Sequence, residues 1–220
     1  MKVGEDMKMI AFDFDGTLMD SMGMWRNLTK NFLKSKGVEF SEEIAQTLTT
    51  VSLAEYCTNV LKIPLTEEDV FHQLGEIILQ QYMYELQLKP GAISVLEGLK
   101  DMGIPLCLAT ATRDEFVLPT LDHLNLRKYF SFVQTGQNSG YRKNNPMFYK
   151  VLAKRSSVEP KDLLLVDDAV YALDAAKDAG LQTLAIYDKH SDESWALGEY
   201  KKHKAIEHLS QVVEQVGGIG

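Results

Sequence analysis

Five short apolar runs recur along the chain, at 7–14, 104–110, 129–135, 162–168 and 181–187. Each is rich in Val, Ile or Leu, is bounded by Gly, Pro or Asp, and is followed by a helical pattern. Runs of that length read as strands buried on both faces. The helical patterns predict helices over 91–102, 113–124, 146–156 and 169–179. Gly103 and Gly180 stand where two of them need a C-terminal cap. Strands alternating with helices predict an α/β fold with a doubly wound parallel sheet. The 220 residues are 45% hydrophobic and 25% charged, ample for a real core.

The stretch 21–88 breaks the rhythm. It holds helical segments near 22–36, 41–49, 52–62 and 66–86 and no strand pattern. Thr66, with Asp69 three residues on, reads as an N-cap. An α-helical cap domain inserted after the first strand accounts for this, giving a core of 1–18 and 90–220 and a cap of 19–89.

The net charge of -8 argues against wholesale binding to nucleic acid or to anionic membrane. No apolar stretch is long enough to span a bilayer, and the N-terminus lacks a signal-peptide layout. Cys57, in a helical pattern, and Cys107, which reads as a reduced core residue, have no metal-type spacing. A cytoplasmic chain, monomeric or weakly self-associating, is expected.

In doubly wound sheets, ligands bind beyond the carboxyl ends of the strands. The first strand run ends in "DFDGT", placing Asp13 and Asp15 on one face. Two like charges side by side repel, so a cation should join them. The second run ends in Thr110 and Thr112, the third leads to Arg142 and Lys143, and the fourth ends in Asp167 and Asp168. Acids, hydroxyls and a cation converging on one edge suit a divalent metal and a phosphate.

These stretches resemble the motifs of the haloacid dehalogenase superfamily, in its phosphatase and β-phosphoglucomutase-like branch with a helical cap. "DFDGTLMDS" is similar to the first motif, "LATAT" to the second, Lys143 to the third and "LLLVDDAVYALDAAKDAG" to the fourth. The resemblance implies Asp13 as nucleophile and Asp15 as general acid and base. It implies Mg²⁺ between Asp13, the backbone carbonyl of Asp15, and Asp168, with Asp167 adjacent. Thr110 and the backbone N–H of Ala111 would hold phosphoryl oxygens, and Lys143 would neutralise the transferring group. An acid at Asp15 points to phosphate esters rather than to the family's dehalogenases or phosphonate-cleaving members. The implied activity is a phosphoric monoester hydrolase acting on a small phosphorylated metabolite.

The third motif departs from Lys-Pro-x-Pro-Asp, reading "KNNPM", which keeps Lys143 and Pro146 and leaves Arg142 as a rival cation. Arg26, behind the first motif, and Arg113, after the second, are the candidate substrate contacts. Asp167 and Asp168 taken alone could simply cap the following helix. The five histidines read as surface or packing residues, and Asp174 as part of an exposed helix face. A sugar phosphomutase is the nearest alternative, though Trp25 stands where those mutases carry a histidine. A non-catalytic phosphate-binding regulatory module is the alternative from another class.

Overall fold

The structure is a computed structural model that describes residues 7–48, 51–191 and 198–216. Six parallel strands form one sheet in the order β3-β2-β1-β4-β5-β6. They are β1 (Met9–Phe12), β2 (Leu106–Ala109), β3 (Phe130–Gln134), β4 (Leu163–Asp167), β5 (Gln182–Ile186) and β6 (Lys204–Ile206). β1, β2 and β4 are buried at every position. That burial explains why they read as unbroken apolar runs rather than as alternating ones.

Successive side chains on a strand point to opposite faces. Ala11, Cys107, Leu165 and Ala185 pack in one cluster with Phe148 and Leu152 of α8 (Pro146–Ser156) and Leu173 and Ala176 of α9 (Val170–Asp178). The alternate set, Ile10, Phe12, Leu108, Leu164 and Val166, is buried as well. Helices α5 (Ala92–Asp101), α6 (Asp114–His123) and α10 (Ser210–Val216) complete this part of the chain, with a short α7 (Gly136–Ser139) after β3.

The strand order reverses direction between β1 and β4, which is where such sheets open a crevice at their carboxyl ends. The expected strand positions hold, and the ladder is narrower than the apolar runs. β6 was not expected: only three residues long, it carries a lysine and buries only Ile206. It lies at the sheet edge, where β5 supplies its pairing.

The chain divides into two compact units, one built from residues up to Asp20 and from Gln87 onward, the other being Ser21–Leu86. The second is helical: α1 (Met22–Ser35), α2 (Glu42–Thr47), α3 (Leu53–Asn59), α4 (Glu67–Gln80) and a five-residue π-helix, Gln81–Glu85. Residue 49 of the helix expected over 41–49 lies outside the described residues. Phe32, Leu33, Ile44, Tyr56, Cys57 and Val70 form this unit's own core. Helices α3 and α4 start on local signals, Ser52–Glu55 and Thr66–Asp69 each forming a reciprocal capping box.

The two linkers belong to the sheet unit, where Met19 and Leu88 pair antiparallel and Asp20 N–H donates to the Gln87 carbonyl. Among the described residues no helix is long and apolar enough to cross a membrane.

Candidate active site

β1 and β4 are in register with Phe12 opposite Val166, and Asp13 N–H donates to the Val166 carbonyl at 3.0 Å. The ladder therefore carries one residue past β1 and brings Asp13 beside Asp167. Lys143, just before α8, places Nζ 2.6 Å from Asp13 Oδ1 and 2.6 Å from Asp167 Oδ2. Asp13, Lys143, Asp167 and Asp168 are each no more than 5% exposed. Arg142 is exposed, so the cation inside the cluster is Lys143.

Asp13, Asp167 and Asp168 offer carboxylate oxygens all within 4.8 Å of one another. Against these three acids the cluster holds one ammonium, so ionising all three would leave buried negative charge in excess. Burial pushes the Asp13 carboxyl up to about 7; Lys143 pulls it back, while Asp167 and Asp15 push the same way as burial. Asp168 is held well above the ordinary carboxylate range by burial and then by Asp167 and Asp13. Asp188, paired with Lys89 at 2.6 Å, adds to that shift. Burial opposes the charge on Lys143, but Asp13 and Asp167 outweigh it and keep the ammonium protonated. All-oxygen donors that outnumber the one ammonium fit a hard divalent cation.

Backbone geometry around Asp168 is tight. Gly16 has φ +74°, and a Cβ there would lie 2.4 Å from Asp168 Oδ2, so this position requires glycine. Thr17 Oγ1 donates to Asp168 Oδ1 at 3.3 Å, and the Tyr200 hydroxyl donates to the Asp168 carbonyl. Asp167 Oδ1 accepts from Ala169 N–H at 2.9 Å at the entry to α9. Asp167 thus makes a turn at the helix entry rather than a cap, since α9 starts from Ala169 without a side-chain cap, and its two oxygens serve different partners.

On the neighbouring strand, Thr110 N–H donates to the Gln134 carbonyl at 3.0 Å, and Thr110 Oγ1 accepts from Thr112 N–H at 3.1 Å. Thr112 is buried and its hydroxyl donates to Asp15 Oδ2. Ala111 is exposed between them. Asn145 accepts from Met147 N–H at 2.9 Å, capping α8 ahead of Pro146, so the departed third motif still starts its helix cleanly.

The structure brings Asp13, Lys143, Asp167 and Asp168 together, with the Asp15–Thr112 pair at the ends of the same strands. Of the two candidate substrate contacts, Arg113 belongs to the sheet unit and Arg26 to the helical one. Arg113 pairs with Glu115 two residues on. Arg26 lies in the helical unit, where it pairs with Glu42 and stacks 5.3 Å over the Phe40 ring. Asp174, expected on an exposed helix face, is instead half-buried: it pairs with Lys202 and, at 2.8 Å, with the buried His203. Gly16, Thr17 and Tyr200 were not among the expected site residues, and Thr112, expected at the strand edge, was given no particular role there. The first two are the last residues of the "DFDGT" motif, which is signal enough in hindsight; Tyr200 carries no local signal.

A sheet whose first strand ends in Asp-x-Asp, facing a buried lysine and a second acid pair, defines a class. The chain belongs to the family of haloacid dehalogenase-like hydrolases, which matches residues 10–186. Within it, the chain is a phosphoric monoester hydrolase. A phosphorylated carbohydrates phosphatase of Thermotoga maritima is 27% identical over 181 residues, covering 81% of this chain and 84% of its own length. Phosphoglycolate phosphatase 1 of Pseudomonas aeruginosa is 26% identical over 188 residues, covering 81% of this chain and 69% of its own. Among solved structures, the CbbY protein of Rhodobacter sphaeroides, in complex with xylulose 1,5-bisphosphate, has the same fold. Its TM-score is 0.75 at 23% identity, covering 93% of this chain and 95% of that one.

Proposed function

We propose that the protein hydrolyses a small phosphorylated metabolite in two displacements, with Asp13 as the phosphorylated residue and Mg²⁺ as cofactor. The observation that carries this reading is Lys143 set 2.6 Å from both Asp13 and Asp167, inside a buried cluster of three carboxyl groups and one ammonium. Asp13, Asp168 and the backbone carbonyl of Asp15 would hold Mg²⁺, with Asp167 beside them. Bound there, the ion supplies positive charge against the phosphoryl oxygens.

In the first displacement Asp13 Oδ attacks phosphorus, the bond to the leaving oxygen breaks, and Asp15 gives that oxygen its proton. Lys143 opposes the negative charge that builds on the transferring group, together with the Thr110 hydroxyl and the Ala111 N–H. In the second, Asp15 takes a proton from water while the water oxygen attacks phosphorus. Phosphate leaves and Asp13 is restored. The helical unit Ser21–Leu86 is read as the cap.

Relatives named for phosphorylated carbohydrates and for phosphoglycolate support a small phosphorylated metabolite as substrate. Hydrolysis is favoured over mutase chemistry by Trp25, which has no titratable group. Its indole N–H donates to the Tyr82 hydroxyl at 3.0 Å.

The test is phosphate release from sugar phosphates, phosphoglycolate and glycerol phosphate, with Mg²⁺ and after EDTA. Release that stops with EDTA and returns with Mg²⁺ is expected. Undiminished turnover by metal-free protein would remove the metal from the proposal. Isomerisation of β-glucose 1-phosphate, primed with its bisphosphate and without phosphate release, would replace hydrolase by mutase.

A further inference from the structure

Asp15 is half-buried at the end of the first strand segment, and its carboxyl group turns about two side-chain bonds, Cα–Cβ and Cβ–Cγ. A proton donor in that position is useful only at one rotation, because a misplacement of about 1 Å costs on the order of a hundredfold in rate. The structure holds that rotation from across the sheet. Thr112, 97 residues further along the chain, donates its hydroxyl hydrogen to Asp15 Oδ2. Thr112 is itself fixed: it is 6% exposed, and its backbone N–H donates to Thr110 Oγ1 at 3.1 Å. That turn is anchored in turn by Thr110 N–H on the Gln134 carbonyl at 3.0 Å. A chain of hydrogen bonds thus runs from the β3 end through the second motif to one oxygen of Asp15.

We propose that Thr112 is the positioning residue for Asp15, its hydroxyl holding the carboxyl by Oδ2 so that the proton is carried and returned on Oδ1. The inference rests on the reading of Asp15 as general acid and base. Its chemical logic is that Oδ2 accepts from Thr112 in both halves of the cycle. With the proton on Oδ1, Oδ2 is a carbonyl oxygen; after the proton has gone to the leaving oxygen, it is a carboxylate oxygen. Both accept a hydrogen bond, so the anchor survives each transfer and the carboxyl is not re-aimed between the two displacements. Thr112 touches neither phosphorus nor the leaving group, and acts only through Asp15.

The threonine methyl and hydroxyl can be separated. Thr112→Val keeps the branched shape without the donor; Thr112→Ser keeps the donor without the methyl group. Two substrates divide the steps: p-nitrophenyl phosphate, whose leaving group departs without much help, and phenyl phosphate, whose leaving group needs a proton. Rapid-mixing experiments on the Mg²⁺-loaded enzyme follow the first turnover and the steady state.

For Thr112→Val the expected result with p-nitrophenyl phosphate is a near-normal burst of p-nitrophenol followed by slow steady turnover, since water activation still needs Asp15. With phenyl phosphate the burst itself should slow by about 10- to 100-fold, with KM little changed. Thr112→Ser should recover most of both rates. A loss spread equally over both substrates and both phases, or one that serine does not repair, would mark a structural role and overturn the proposal. So would a Thr112→Val enzyme as fast as wild type when Asp15→Asn is crippled. If Asp15→Asn is itself fully active with phenyl phosphate, the acid–base reading of Asp15 falls, and Thr112 loses its function with it.

Discussion

The Tyr200 hydroxyl donates a hydrogen bond to the backbone carbonyl of Asp168. Tyr200 is buried in a short 3-10 turn, Glu199–Lys202, ahead of β6. It fixes the backbone from which the Asp168 carboxylate projects, while Gly16, lacking a side chain, leaves room for the carboxylate itself. Residues that orient a metal ligand typically cost about 10- to 100-fold in metal affinity when removed. Tyr200→Phe should therefore weaken Mg²⁺ binding by about tenfold, measured by calorimetric titration, while the fold persists.

Lys143 and Arg142 are adjacent in sequence but differ in burial, and the proposed function assigns the phosphoryl group to the buried one. Lys143→Met should lower kcat by about 10²–10³, the cost of removing one preorganised partner of developing charge. Arg142→Ala should stay within a few-fold of wild type. Steady-state kinetics on an aryl phosphate checks both, and the reverse order would move the third motif by one residue.

The sheet was legible because its strands are buried on both faces, so that Ile10, Ala11, Leu164 and Leu165 write burial directly into sequence. β6 was not: Lys204–Ile206 owes its strand to β5 rather than to its own composition. Asp13, Lys143, Asp167 and Asp168 were legible because the topology forces parallel strand ends to one edge. Thr112 and Tyr200 act across 97 and 32 residues on partners that only tertiary packing selects. Asp174 was misread for the same reason, since nothing beside it announces His203.

The acid cluster that suits a cation should destabilise the protein without one. Asp168 in the fold sits well above its ordinary value of 3.8, so folding forces either a buried charge among like charges or the uptake of a proton. Asp168→Asn removes that cost and keeps an oxygen for Thr17. In metal-free buffer near neutral pH the variant should melt higher, by about 2–4 °C for each kcal/mol relieved in a domain of this size. The sign follows from linkage: a carboxyl raised on folding loses stability as pH rises above 3.8, so the variant's advantage should grow with pH. Saturating Mg²⁺ should reverse the order by stabilising only the wild type. Differential scanning calorimetry across pH and metal reads all three effects, and equal melting of the two metal-free proteins would contradict the account.

His203 gives the opposite pH dependence, away from the site. Its Nε2 lies 2.8 Å from Asp174 Oδ1 and its Nδ1 2.9 Å from Thr183 Oγ1, tying the segment before β6 to α9 and β5. Burial lowers its pKa below the ordinary 6.5; Asp174 opposes the shift, and Lys177 and Lys202 assist it. In the unfolded chain the imidazole takes up a proton at 6.5, before the folded protein does, so its stabilising contribution is complete above that pH and declines below it. The acid cluster shifts the other way in the same window, so the whole-protein curve mixes the two. Comparing wild type with His203→Gln, whose amide can still donate to Asp174, isolates the imidazole. The stability advantage of the wild type, taken from urea unfolding, should be largest near pH 7.5 and should shrink toward about pH 5.5 by at most about 1.4 kcal/mol per pH unit. An advantage that widens on acidification would mean that His203 is held as a cation by Asp174 and not as the neutral ring its burial implies.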